Sequence, residues 1–120
     1  MEIKERSNRI LVVLNSGENI KDIITDVILQ YGIIEASIIG FGYMKELEYG
    51  YLEKEDPIFY QKSFQKETVT VSSFNGSVTD RNFHIHLFGV NKKNQSLGGH
   101  FINGLVGEMF SITIDVFKTE

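Results

Sequence analysis

Asn82-Phe83-His84-Ile85-His86-Leu87-Phe88-Gly89-Val90, followed by Asn91-Lys92-Lys93-Asn94-Gln95 and then Ser96-Leu97-Gly98-Gly99-His100, reads as two strands and the turn between them. Successive side chains of a strand point to opposite faces, so His84 and His86 share one face with Cα atoms about 6.5 Å apart. Asn tolerates the positive φ that tight turns demand, and a turn at Asn91–Gln95 pairs Val90 with Ser96. His86 then stands opposite His100. Directly opposed residues of an antiparallel pair share a face with Cβ atoms about 5 Å apart, so the three rings converge. The Gly98-Gly99 pair is the one place where a bulge would shift this register by a residue.

Upstream of this hairpin the chain reads as further sheet. Glu67 to Phe74 alternates, with Thr68, Thr70 and Ser72 on one face and Val69, Val71 and Ser73 on the other, and Asn75-Gly76 carries a strong hairpin signal leading into Ser77-Val78-Thr79. Ile58 to Phe64 is another strand, preceded by the charged turn Glu53-Lys54-Glu55-Asp56-Pro57. Ile33 to Met44 gives a strand broken by Gly40-Phe41-Gly42, and Lys45 to Leu52 gives one more. Gly40-Phe41-Gly42 has strand on both sides and no helix after it, so it reads as a break in a sheet and not as a phosphate loop. Arg9 to Asn15 is apolar on both faces, as a central strand would be.

One helix stands out. Ile20, Ile23, Ile24, Val27, Ile28 and Tyr31 repeat at the spacing of a single buried face. Ser16 or Asn19 can cap its start, and Gly32 suits the left-handed position that ends a helix. Downstream of the histidines, Glu108 to Phe117 forms a long closing strand. Phe101, Leu105, Val106 and Phe110 offer apolar area to a partner chain, although core packing within the monomer is their simpler role.

The chemistry concentrates at the histidines. A lone imidazole on a half-buried strand is ordinarily a hydrogen-bonded side chain. Three on one face form a ligand set, because histidine is the commonest metal ligand and clustered imidazoles repel one another once protonated. Three nitrogens also leave a coordination position open for water or a small molecule. The chain has no Cys, so the donors are nitrogen with carboxylate oxygen as the available addition, which suits zinc or another divalent transition metal. Catalysis at such a site would need a general base, and Glu67 and Glu108 are candidates by residue type alone.

Composition bounds the rest. A length of 120 residues with 42% hydrophobic content supports one domain with its own core. The net charge is −4 and the three Arg and nine Lys are scattered, with neither the basic excess nor the basic stripe of a nucleic-acid binder. No Walker, Rossmann or Gly-x-Ser-x-Gly pattern is present. Met1 to Arg6 is charged where a signal peptide would be apolar, and the longest aliphatic runs are far short of a membrane span. The expected location is the cytoplasm, with no membrane partner.

Several short landmarks come in a specific order: Gly17-Glu18 before the helix, Ile33-Ile34-Glu35-Ala36-Ser37-Ile38-Ile39-Gly40-Phe41-Gly42, Val71-Ser72-Ser73-Phe74-Asn75-Gly76-Ser77-Val78, and His84-Ile85-His86 with Gly98-Gly99-His100. Together they resemble the PPC (plant and prokaryote conserved) domain, in its stand-alone prokaryotic form. The resemblance implies an α/β (α+β) fold: a single domain with a largely antiparallel sheet, one main helix and room for a short second one. Residues 1–8 would be an N-terminal extension and 9–118 the domain. It further implies a homotrimer with a metal, zinc being the usual suggestion, at His84, His86 and His100, and no defined activity. The alternative is a trimeric interaction or regulatory module with a DNA-associated role and no catalysis. In the plant relatives DNA contact resembles the work of an AT-hook with an Arg-Gly-Arg-Pro core. This chain has no such core, so direct DNA binding is not expected of it.

Overall fold

The computed structural model describes residues 1–118. The histidine hairpin is formed by β6 (Asn82–Val90) and β7 (Ser96–Val116). Around it lie β1 (Glu2–Arg6), β2 (Arg9–Asn15), α1 (Ile20–Gln30), β3 (Ala36–Glu55), β4 (Ile58–Gln65) and β5 (Val69–Thr79). All the strand pairs are antiparallel, in the order β1-β2-β7-β6-β5-β3-β4, and a further ladder joins β7 to β3 and closes the ring β3–β5–β6–β7. The fold is thus mostly β. The α/β expectation holds only as one helix on a largely antiparallel sheet, and no second helix occurs among the described residues.

β7 is the common member. One of its edges pairs with β3 from His100 to Val116. The other is divided between β6, along Ser96–His100, and β2, along Met109–Asp115. In the gap between them the chain leading into α1 bonds to β7, Gly17 N–H donating to the Val106 carbonyl at 2.8 Å and Val106 N–H to the Glu18 carbonyl at 2.9 Å. The helix is therefore seated over the seam between β6 and β2, where Ile20, Ile24, Val27 and Ile28 are buried.

The ends of α1 are specified locally. Asn19 is the N-cap, its Oδ1 accepting from the Asp22 N–H at 3.0 Å. At the other end Gly32 has φ +58°, while Ile33 N–H reaches the Ile28 carbonyl and Gly32 N–H the Leu29 carbonyl, the paired bonds of a Schellman stop. Asn19→Ala leaves one helical N–H without its acceptor, and chemical denaturation should show a loss of about 1 kcal/mol.

Several expectations from sequence are corrected. Residues 1–8 are more than an extension, since β1 pairs with β2 from Glu2↔Val13 to Arg6↔Arg9. The two segments read at 33–44 and 45–52 are joined in one strand, β3, which starts only at Ala36, runs on to Glu55 and has a bulge between Gly40 and Gly42 where its register against β5 shifts. Asn75-Gly76 is not a turn. Both residues lie inside β5, and the hairpin turns at Asp80-Arg81, whose φ values of +49° and +67° are those of a tight two-residue loop. Gly76 is needed for another reason: a Cβ there would overlap the His84 carbonyl oxygen and lie 2.7 Å from the Ile85 Cα. Its missing side chain lets β5 and β6 come together beneath the histidines. A second register shift, between Val71 and Ser73, leaves Ser73 exposed and turns Phe74 inward instead.

Phe74 is the centre of the core. It meets Phe101 and Phe110 edge-on, each with ring centroids 5.0 Å away. Phe101, Val106 and Phe110 are all buried, so their role is core packing, and only Leu105 of that group is half-exposed.

Candidate metal centre

β6 has the burial of a strand with one wet face: His84, His86 and Phe88 are exposed while Ile85 and Leu87 are buried. The turn length sets the rest. Val90 pairs with Ser96 and His86 with His100, without interruption, so Gly98-Gly99 introduces no shift on the β6 side. His100 thereby joins the outer face of the hairpin, half-buried where the other two are exposed.

The three rings meet nearly at right angles. Centroids are 5.1 Å apart for His84 and His86, 5.0 Å for His84 and His100, and 6.1 Å for His86 and His100, with interplanar angles of 76°, 72° and 83°. One ring nitrogen from each lies within 4.8 Å of the others. A tetrahedral zinc with Zn–N near 2.05 Å needs those nitrogens about 3.3 Å apart. The difference, roughly 1.5 Å, is within reach of side-chain rotation in two exposed rings.

The electrostatics suit a cation. His100 is held below the usual histidine pKa of 6.5, first because burial penalises its charged form and then because His84 and His86 repel it. Its Nδ1 is buried and has no hydrogen-bond partner. A buried unpaired nitrogen costs about 1–3 kcal/mol. Three imidazoles converging on one face are the donor set that zinc and similar divalent ions take.

The depressed pKa of His100 makes a stability prediction for the metal-free protein. In the unfolded chain this imidazole takes up a proton near pH 6.5, while in the fold it stays neutral to lower pH. Between those two values the unfolded state binds more protons, so stability is full above about pH 6.5 and is lost as the pH falls toward the folded pKa. Thermal melts of metal-free protein should give a lower Tm at acid than at neutral pH. His100→Gln should flatten that dependence.

Neither carboxylate singled out by residue type is beside the cluster. Glu108 lies eight residues beyond His100 on β7, about 26 Å along the strand. Glu67 sits between β4 and β5, flanked by the pairs Gln65↔Leu47 and Val69↔Met44, while it is Gly50 of β3 that faces His100. Other side chains approach instead. Ser77 is opposite His84 and Asn75 opposite His86. Glu48 does not: it pairs with Asn103, three residues from His100, and lines a cavity of about 240 Å³ to which none of the three histidines belongs. Tyr60 of β4 stacks on His100, centroids 4.1 Å apart at 13°. Only strand pairing between segments distant in sequence brings Tyr60 here, and no local motif marks it.

The family model described as the Plants and Prokaryotes Conserved (PCC) domain matches residues 1–118. Among solved structures, a protein from Bacteroides thetaiotaomicron provisionally described as DNA-binding gives a TM-score of 0.89 at 18% identity, over 99% of this chain and 85% of its own. A plant- and prokaryote-conserved (PPC) protein from Pyrococcus horikoshii gives 0.81 at 22% identity, over 99% and 83%. A metal-containing protein from Archaeoglobus fulgidus gives 0.79 at 23%, over 96% and 81%. No curated protein matches the sequence. At these identities the structural likeness speaks for the fold alone. The family match, however, runs from the first edge strand to just past the end of β7, and this chain belongs to the Plants and Prokaryotes Conserved domain family.

Proposed function

We propose that this protein is a metal-binding homotrimer in which His84, His86 and His100 hold zinc or another divalent transition metal, with water or a small molecule in the open position. The observation that carries the metal is the convergence of one nitrogen from each imidazole within 4.8 Å. The metal-containing Archaeoglobus fulgidus relative of the same fold supports it. The ion would supply Lewis acidity to whatever occupies its open position. Around it the chain contributes the orientation of His100 and the flanking Ser77 and Asn75.

The assembly has its own support. Ile39, Phe41 and Phe88 are 59%, 57% and 51% exposed, more than isolated surface residues of this size require. Phe41 and Phe88 flank Ser72 and Ser73 of β5 from the strands on either side, and Phe88 is two residues from His86 on the same face. A contact between copies at this patch would lie beside the metal centre. The same patch favours the second reading, an interaction or regulatory module without catalysis. In either reading the partners are further copies of this chain and a small molecule, in the cytoplasm. With a net charge of −4 and no basic run, duplex DNA is not among them. A mobility shift with duplex DNA that weakens steeply with salt would overturn that part.

Metal content by mass spectrometry and native mass by light scattering, both on untagged protein, test the proposal. About one ion per chain and three times the chain mass are expected. Protein that neither retains nor takes up a divalent ion would leave the interaction module as the better reading.

A further inference from the structure

We propose that Tyr60 is a positioning residue of the metal centre, holding the His100 ring by stacking where a ligating histidine is ordinarily held by a hydrogen bond. The inference rests on the metal reading above and adds to it the means by which one ligand is oriented. Imidazole ligands usually donate their second ring nitrogen to a carboxylate, carbonyl or water, which fixes the plane of the ring. The Nδ1 of His100 has no such partner. What does contact the ring is Tyr60, nearly parallel to it at 4.1 Å and 13°. β4 reaches β7 from the β3 side, whereas His84 and His86 approach from the β6 side. His100 is therefore held between the tyrosine and the other two ligands, and the stack sets the face it turns to them.

The backbone is shaped to allow this. Tyr60 and His100 belong to strands separated by β3 and are offset by two residues, so their Cα atoms stand roughly 12 Å apart across two strand spacings. The row from His100, His100↔Gly50↔Lys62, ends two residues from Tyr60 on the same face of β4 and has glycine at its middle. A Cβ on Gly50 would fall 2.7 Å from the Gln61 carbonyl oxygen, pushing β4 away. Next to His100, Gly99 has φ +140° and a Cβ there would overlap the Gly50 carbonyl oxygen. Two glycines without room for a side chain draw β7, β3 and β4 together at the point where the tyrosine meets the histidine.

The test is titration of metal-free protein with Co²⁺, following both the dissociation constant and the visible absorption that reports coordination geometry. Tyr60→Ala should weaken Co²⁺ binding by about 10-fold or more, the range seen when a residue supporting a ligand is removed. Its visible spectrum should change as well. Tyr60→Phe keeps the stack and should bind as the wild type does. A readout without metal is the NMR shift of the His100 ring protons, which the tyrosine ring current moves upfield and which Tyr60→Ala should move back. Wild-type protein that binds no Co²⁺ would overturn the metal reading and this one with it. Wild-type binding that Tyr60→Ala leaves unchanged, or a Tyr60→Phe variant as weak as Tyr60→Ala, would overturn the positioning role alone.

Discussion

His86→Ala is expected to lose its metal and keep its fold. Zinc held by four protein ligands in small domains binds with roughly 10–16 kcal/mol, so one nitrogen of a set is worth on the order of 3 kcal/mol, or roughly a hundredfold and upward in affinity. The fold has little stake in the side chain: His86 is on the exposed face of β6, and the inward positions on either side of it, Ile85 and Leu87, carry the packing. Competition with a chromophoric chelator should show at least a hundredfold weaker binding, and a denaturant midpoint of the metal-free variant should lie near that of the metal-free wild type. A variant that keeps wild-type affinity would mean that His86 is not a ligand, whatever its distance from the other two. Loss of the trimer with metal retained would place His86 in the assembly instead.

Phe74→Ala should have the largest effect on stability of any single truncation considered. The ring is 1% exposed and packs edge-on against both Phe101 and Phe110, which belong to opposite halves of β7. Removing it opens a cavity that three neighbouring strands cannot close, and truncations of this kind cost about 3–5 kcal/mol. That is a large part of the roughly 5–15 kcal/mol by which domains of this size are stable. Urea denaturation should show a much lower midpoint with an unchanged slope, and Phe74→Leu a smaller loss. A change below about 1 kcal/mol would mean that the cavity is refilled by the two remaining phenylalanines.

Hydrophobic periodicity and one turn length were enough to read the helix, β2 and the histidine hairpin. Residue identity alone locates the site in this chain because the loop between β6 and β7 determines which residues oppose one another, and His86↔His100 follows from it. The break at Gly40-Phe41-Gly42 showed in the pattern but its register did not, and the bulge at Ser72 did not show at all. An extra residue at Ser72 moves Phe74 to the inner face, and Gly40 to Gly42 interrupts one ladder of a strand that otherwise continues for 20 residues. Both kinds of break are set by how neighbouring strands fit, which a single segment does not encode. Asn75-Gly76 misled for a related reason. The glycine serves the close approach of β6, while the true turn uses Asp80-Arg81, residues with weaker turn preferences. Tyr60 comes to the site through β3–β7 and β3–β4 pairing, and no local rule could have found it.

β7 has a consequence for synthesis. It is bonded to β2, β3 and β6, whose residues all precede it in the chain, and it supplies Phe101 and Phe110 to the centre of the core. A nascent chain that has reached only Asn91–Gln95 can form α1 and the β5–β6 hairpin, but the strand that joins β2 to β6 and closes the ring with β3 does not yet exist. Until Ser96–Val116 clears the ribosome, the edges of β2 and β6 that will receive it remain unpaired and the apolar faces meant for it stay wet. Folding therefore waits for a late arrival, and a ribosome stalled just before Ser96 should display a chain that is protease-sensitive and bound by chaperones, whereas one stalled well beyond Val116 should not.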